Sequence, residues 1–489
     1  MSDKPTKKMP FAPVKPRRNK EEGKKMTERQ IAARKRQMAE NRNRTVVKGP
    51  VSANRMTKLE PGKVRVTNLI ADELTRAFAV ILKLDGPADQ LMKAFFKSNP
   101  KLGARDRTLL AEAIFYGLRH YAGIAHRMHP VRPEKAPRVA ALLTLALQYG
   151  LESMTDGVLG KEKGPVTNML QTKMDKAPPE VRAEMPFWLY ERLSSQYGDQ
   201  APAIFEASCK GAPLDLRVNT LKAKREEVLA ELEEHRVQAQ PMRFSPDGIR
   251  LIDKPGLIRW PMYQEGRIDV QDEGSQLIAR LVAPRRGEMV CDFCAGAGGK
   301  TLAMGALMKS SGRLYAFDIN EKRLAQMTPR MRRAGLSNVH PIAIRDEHDN
   351  RIKRLRGKFD RVLVDAPCTG TGTLRRNPDL KWRLSVAELE RINAVQKSVI
   401  EEAAKLLKKG GRLVYATCSM LEVENQAVVE AFLAEHPEFV RLNATDILAK
   451  QGAELPADQK ERYGDYLVML PHVHDTDGFF AAVLEKTGE

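Results

Sequence analysis

Aromatic side chains are scarce in this sequence, 6% of its 489 residues, and only Phe11 falls within the first 66. A stretch with one ring and a long run of Lys, Arg, Gln and Asn cannot bury enough apolar surface to offset its ordering entropy. Residues 1–66 are therefore expected to form a disordered basic tail, with a transient helix across Glu28–Glu40. No apolar run approaches the roughly 20 residues that cross a bilayer, so no membrane partner is expected and a soluble protein is. Cysteine is sparse and odd in number, at Cys209, Cys291, Cys294, Cys368 and Cys418. That excludes an extracellular disulfide framework as the organising device and predicts a reducing, cytoplasmic setting. Cys291 and Cys294 form a C-x-x-C, but no second pair or nearby His completes four zinc ligands, so no metal is expected and both thiols are assigned to core packing. Asp3, Glu21 and Glu22, with no apolar segment near them, argue against a signal or transit peptide.

Acidic residues are outnumbered, 62 Asp and Glu against 82 Lys and Arg. Residues 1–66 hold 20 basic against 6 acidic groups, leaving 62 against 56 for the rest, so the excess is mostly a tail. A polyanionic partner fits such a charge, and the tail either binds RNA through counterion release or solubilises the chain.

The length implies several folded units. From Asn68 to Gly150, Leu74, Phe78 and Ile81 recur at helical spacing, as do Leu110, Ile114 and Leu118, and Val139–Leu147 is apolar on most sides. A small helical bundle is expected over residues 67–150, with a linker and helices over 151–212. Residues 213–262 read as a small α+β module with a strand at Leu214–Val218, a helix at Lys224–Glu234 and a hairpin pairing Met242–Phe244 with Ile249–Ile252. Its β-α-β order is similar to that of RNA-binding sheets, but the aromatic stacking strip is absent, which disfavours base reading by it. From 263 to 489, strands (Met289–Phe293, Arg313–Phe317, Val339–Ile344, Arg361–Val364, Arg412–Ala416) alternate with glycine turns and helices (Thr301–Leu307, Glu321–Ala334, Val386–Leu407, Glu422–Ala434), the pattern of a mostly parallel sheet covered on both faces. A late strand, Phe479–Leu484, is expected to close the sheet edge.

The chemistry concentrates at the ends of these strands. Asp365-Ala366-Pro367-Cys368 follows a short buried strand, where open α/β sheets place ligands, and Pro367 stops the strand. Cys294-Ala295-Gly296-Ala297-Gly298-Gly299-Lys300-Thr301 is a glycine turn opening a helix. Thr301 stands where G-x-G-x-x-G needs glycine and Cys294 where a Walker loop needs one, which disfavours a dinucleotide and a phosphate loop. Asp318 ends the next strand, placed for ribose hydroxyls, and Asp346 ends the third, placed for a purine edge, so an adenosine-containing cofactor fits. Thr417-Cys418-Ser419 ends another strand. Two thiols and an acid in one crevice suit covalent addition to an electron-poor ring, although the residues do not say which thiol attacks. Arg375, Arg376, Lys381 and Trp382 would suit a phosphate and a stacked base.

CAGAGGKT, AFDINEKRL, DAPCTGTGTLRRNPDLKW and YATCSMLEVEN, preceded by QDEGSQ and followed by DGFF, resemble the motifs of the RsmB/NOP/Sun family of S-adenosylmethionine-dependent RNA (cytosine-5)-methyltransferases, and in particular its bacterial RsmB-like members. The similarity spans about Gln271–Lys486, and the helical segment before it is loosely similar to the NusB-like domain of bacterial members. The resemblance implies an α/β fold: a Rossmann-like class I methyltransferase domain with a mostly parallel sheet, preceded by an all-α NusB-like domain and a small α+β module. It implies a monomeric enzyme that methylates C5 of a cytidine in RNA, 16S ribosomal RNA foremost. Cys418 matches the nucleophile that attacks C6, Cys368 the thiol implicated in product release, and Asp365 the acid that contacts the cytosine edge beside the cofactor. Cys294, Ala295, Gly296, Ala297, Gly298, Gly299, Lys300, Asp318, Arg323, Asp346 and Asp365 match the contacts to S-adenosyl-L-methionine. Ala297 stands where members commonly carry proline, which leaves the turn less rigid. An RNA-binding assembly factor with a vestigial cofactor site is the alternative, and the intact thiols and aspartates speak against it.

Overall fold

The computed structural model describes residues 64–252 and 255–488. Most of the expected tail, with its Glu28–Glu40 helix, lies outside the described residues. The last residues of that span are packed: Val64 and Val66 are buried, and Val66 forms a β-bridge with Met154. Among the described residues no helix is long and apolar enough to cross a membrane.

The helices Asn68–Ile81, Ala104–Arg119 and Pro137–Tyr149 share one core. Leu74, Phe78 and Ile81 fall on one face at three- and four-residue spacing and meet Leu110, Ile114 and Leu118 of the second helix. Ala140 to Ala146 are buried without interruption, so the third helix runs through the middle of the group.

A four-stranded antiparallel sheet follows, formed by β1 (Leu214–Val218), β2 (Ala239–Pro241), β3 (Gly248–Leu251) and β4 (Ile268–Val270) in the order β2-β3-β1-β4. The hairpin departs from expectation because β2 ends at Pro241. Met242 still donates to the Gly248 carbonyl (3.0 Å), but the Phe244 and Ser245 amides donate to the Glu273 carboxylate (2.5 and 2.8 Å) and so leave the ladder.

The carboxyl-terminal half is built on β5 (Met289–Asp292), β6 (Arg313–Asp318), β7 (Val339–Ala343), β8 (Phe359–Asp365), β9 (Leu407–Thr417), β10 (Phe439–Leu442), β11 (Leu467–Met469) and β12 (Phe479–Lys486). Their order is β10-β12-β9-β8-β5-β6-β7, with β11 paired to β12. The five strands β9-β8-β5-β6-β7 are parallel, and buried apolar clusters cover both faces. The last strand does not close the edge: β12 runs antiparallel between β9 and β10. The expected helix at Glu321–Ala334 is two, Glu321–Ala325 and Met327–Ala334. The one at Val386 stops at Ala404, because β9 begins as early as Leu407. The expected helix from Glu422 begins as a 3-10 turn over Glu422–Glu424, and its α-helix starts at Gln426.

Candidate active site

Parallel pairing of β8 with β9 puts Asp365 opposite Ala416, and the Ala366 amide donates to the Ala416 carbonyl (2.8 Å). Both chains then turn out of the sheet on the same side, since strands lying in register must leave at the same end. The result is a contact between the Cys368 and Cys418 sulfurs at 3.4 Å, with both side chains partly exposed. Beneath them the Gly372 amide donates to the Cys418 carbonyl (2.9 Å) and the Gly478 amide to the Gly372 carbonyl (2.8 Å). A Cβ on Gly372 would lie 2.0 Å from the Gly478 carbonyl oxygen, so only glycine lets these backbones cross. The D-G-F-F stretch is thereby a support for the thiol turn.

Asp365 pairs with Lys300 (2.8 Å), whose side chain is 11% exposed. Burial works against the Lys300 ammonium, but the charge and hydrogen bond of Asp365, with smaller help from Cys418 and Asp292, outweigh it and raise its pKa. A cation therefore stays beside both the acid and the Cys418 sulfur. The Cys368 thiol is pushed well above its usual range by its hydrogen bond with Cys418, then by burial, by the neighbouring sulfur and by the Glu424 charge.

The glycine turn leaves β5 and is held from three sides. The Gly296 amide donates to the Asp318 carboxylate (2.7 Å), whose other oxygen accepts from the Asn320 amide (2.6 Å). The Arg323 guanidinium lies over Gly296, where a Cβ would be 2.5 Å from Nη2. Arg330 donates to the Ala297 carbonyl (2.6 Å) while also donating to Asp269 on β4 (2.6 Å), so a cation ties the turn to the smaller sheet. Asp292, 1% exposed, accepts from the Thr301 hydroxyl (2.6 Å) through one oxygen and has no partner on the other. Burial pushes its carboxyl up to about 7, against the Thr301 bond and with help from the Asp365 charge. Asp346 is exposed at the end of β7, its carboxylate accepting the His348 amide (2.9 Å).

Arg375, Arg376, Lys381 and Trp382, the expected RNA contacts, bond within the protein. Arg375 is 6% exposed and donates to the Thr476 carbonyl (3.2 Å) and the Asp475 carboxylate (2.8 Å). Arg376 donates to Asp477 (2.6 Å), Asp272 (2.9 Å) and the Pro213 carbonyl (3.1 Å). Lys381 is fully buried with its ammonium on the Arg119 carbonyl (3.1 Å), and the Trp382 indole donates to the Leu118 carbonyl (2.7 Å). Those carbonyls are at the end of the Ala104–Arg119 helix, where unpaired acceptors need donors. The segment after Cys368 is thus fastened to the helical bundle and to the late loop, although the Arg375 Nε has no partner. Three residues carry weight without having been given a role from sequence: Arg330, Ile319 and Glu424. Ile319 is 69% exposed beside Asp318, and Glu424 is fully buried beneath both thiols.

Asp318 keeps lone pairs beyond its two amide partners for a diol, and Ile319 presents apolar surface for a ring. A Cβ on Gly299 would meet nothing nearer than Gln271 Nε2 at 3.8 Å, so the helix amino end is open to a ligand. The residues present fit an S-adenosyl group, and with five parallel strands flanked by an antiparallel one they define a Rossmann-like S-adenosylmethionine-dependent methyltransferase. Residues 279–485 match the family model described as 16S rRNA methyltransferase RsmB/F, and residues 185–257 match the RsmF/B-like ferredoxin-like domain. The chain is 30% identical over 449 residues to the "Probable ribosomal RNA small subunit methyltransferase B" of Bacillus subtilis, covering 84% of this chain and 98% of that one. It is 33% identical over 337 residues to ribosomal RNA small subunit methyltransferase B of Yersinia pseudotuberculosis, covering 69% and 73%. Among solved structures, PH0851 superimposes with a TM-score of 0.72 at 27% identity over 86% of this chain and 100% of that one. A methyltransferase homologue from Pyrococcus horikoshii gives 0.54 at 30% identity, over 63% and 97%. The chain belongs to the RsmB/F family of 16S rRNA methyltransferases.

Proposed function

We propose that this protein methylates C5 of a cytidine in 16S ribosomal RNA through a covalent adduct on Cys418. The observation that carries the proposal is the 3.4 Å contact between two thiols at adjacent strand ends, next to an acid paired with a cation. Direct methyl transfer to a nitrogen or oxygen needs no thiol, whereas carbon-5 of cytosine is a poor nucleophile until a thiolate adds at C6, which leaves the second thiol for release.

Lys300 keeps a positive charge in the site, and Cys368, kept protonated, can donate its S–H to the Cys418 sulfur. The thiolate adds to C6, forming the S–C6 bond and shifting an electron pair towards C5. Asp365 contacts the N3/N4 edge, and a proton shared between it and N3 meets the negative charge that develops on the ring. Bound S-adenosylmethionine supplies the electrophilic methyl group; the turn Cys294–Lys300 with Asp318, Arg323 and Asp346 would hold it. The C5 proton then passes to water in the crevice, its electron pair re-forms the C5–C6 double bond as the S–C6 pair returns to sulfur, and Cys368 serves that release from its place against the departing sulfur. The target base must be flipped out to enter the crevice. Five free cysteines among the described residues suit a cytoplasmic setting.

The test uses unmodified 16S RNA and labelled cofactor, with 5-methylcytosine as readout. Cys418→Ser should abolish both product and denaturation-resistant RNA–protein adducts, while Cys368→Ser should accumulate adducts. Adducts that survive in Cys418→Ser and vanish in Cys368→Ser would exchange the two roles, and labelled product on a base other than cytosine would end the proposal.

A further inference from the structure

We infer that Glu424 is the positioning residue that holds the two thiols in contact, by fastening with one carboxylate the residue after each of them. The inference builds on the thiol chemistry proposed above.

Glu424 is fully buried. One of its oxygens accepts from the Thr369 amide (2.8 Å) and the Gln396 side-chain amide (3.0 Å), and the other from the hydroxyls of Thr369 and Ser419. Thr369 follows Cys368 and Ser419 follows Cys418, so the two loops are stapled one residue beyond their sulfurs. Gln396 extends the staple backwards by donating to the Pro367 carbonyl (2.9 Å). A carboxylate is the side chain able to accept four such bonds without offering a donor.

The local backbone is bent to deliver it. Glu424 closes a 3-10 turn, and Asn425 leaves helical geometry at φ −113° and ψ −101°, so the α-helix begins only at Gln426. Asn425 fixes that break by accepting from the Thr417 hydroxyl (2.5 Å) and donating to the Ser419 carbonyl (2.9 Å). A buried carboxylate is expensive, and packing alone would be served by an apolar side chain there. Its charge also bears on Cys368, which it helps to keep protonated. The other groups that face the thiol pair are Tyr415 on β9 and the Lys300–Asp365 pair. Glu424 therefore sets the separation of the sulfurs and adds a negative charge beside Cys368.

Two readouts on the full-length protein need no RNA. Diamide takes two electrons and two protons from a thiol pair, becoming a hydrazine as the S–S bond forms, and peptide mapping reports the Cys368–Cys418 crosslink. Sulfurs 3.4 Å apart should crosslink readily in the wild type, and Glu424→Gln should slow closure at least about tenfold, because a displacement of the order of 1 Å suffices for such losses. In a Cys418→Ala background, the pH profile of iodoacetamide alkylation at Cys368 should move to lower pH when Glu424→Gln is added, which a purely mechanical role would not produce. If Glu424→Gln fails to fold, Thr369→Val removes one of the four bonds while keeping shape, and should slow crosslinking in the same direction. Unchanged crosslinking in a folded variant, or an alkylation profile that stays put, overturns the inference. Should Cys418→Ser still form RNA adducts, the proposed chemistry falls while both readouts still decide the role of Glu424.

Discussion

Replacing Arg376 by methionine separates two meanings of a cation in a basic loop. Its guanidinium holds Asp477 and Asp272, whose side chains are 3% and 6% exposed, while its own is 30% exposed. Methionine keeps the stem and removes the charge, leaving two buried carboxylates without their shared cation. Breaking a buried pair from one side costs about 3–5 kcal/mol, and the partial exposure of Arg376 favours the lower end, about 3 kcal/mol. On a domain of this size that is roughly 6–12 °C in Tm. The loss should depend on pH with a definite sign. Burial and the Asp272 charge push the Asp477 carboxyl up to about 7 against the pull of Arg376. Its unfolded value is near 3.9, so ionising it opposes folding progressively above about pH 4 and fully only above its folded value. Removing Arg376 raises that folded value further, so the deficit should be larger at about pH 8.5 than at about pH 6. Urea or thermal unfolding at the two pH values, alongside filter binding of 16S RNA across a salt series, is the assay. A variant of unchanged stability whose log K against log salt slope flattens by about one would show a phosphate contact instead, and would refute the structural assignment.

Other consequences are simpler to state. Gly372→Ala places a methyl 2.0 Å from the Gly478 carbonyl, so backbone must move under the thiols; methyl transfer should fall by about 10²-fold or more with cofactor affinity nearly kept, read by kinetics beside calorimetric titration. Arg330→Met releases the Ala297 carbonyl and should weaken S-adenosylmethionine binding by about tenfold, the worth of one charged hydrogen bond; adding Ala297→Pro should recover part of it, and no change in Kd would show that the turn needs no such tie. Trp382→Phe removes the indole bond to Leu118 and should cost about 1 kcal/mol, with faster proteolytic cleavage between the helical bundle and the rest and an unaltered salt slope for RNA.

What could be read from the sequence, and what could not, divides along a physical line. Asp365, Cys368, Asp318 and Cys418 were legible because strand ends and glycine turns are local events: a few β-branched residues, a proline and a glycine fix where the chain leaves the sheet, and chemistry collects there. The pairing of β8 with β9 then brought together thiols 50 residues apart, which the alternation of strands and helices already implied. The partners of the cations were hidden for the opposite reason. Arg376 meets Asp477 across 101 residues and Lys381 meets the Arg119 carbonyl across 262, and nothing in R-R-N-P-D-L-K-W distinguishes a side chain waiting for phosphate from one already spent on the protein's own acceptors. Glu424 was hidden differently. E-V-E-N carries the signature of a helix start, and only the break at Asn425 turns its last acid inward beneath the thiols. A helix-compatible sequence held out of the helix by hydrogen bonds to the active-site loops is a local preference overruled at the place where the two sulfurs must be held, which is where a cost in folding is compensated by function.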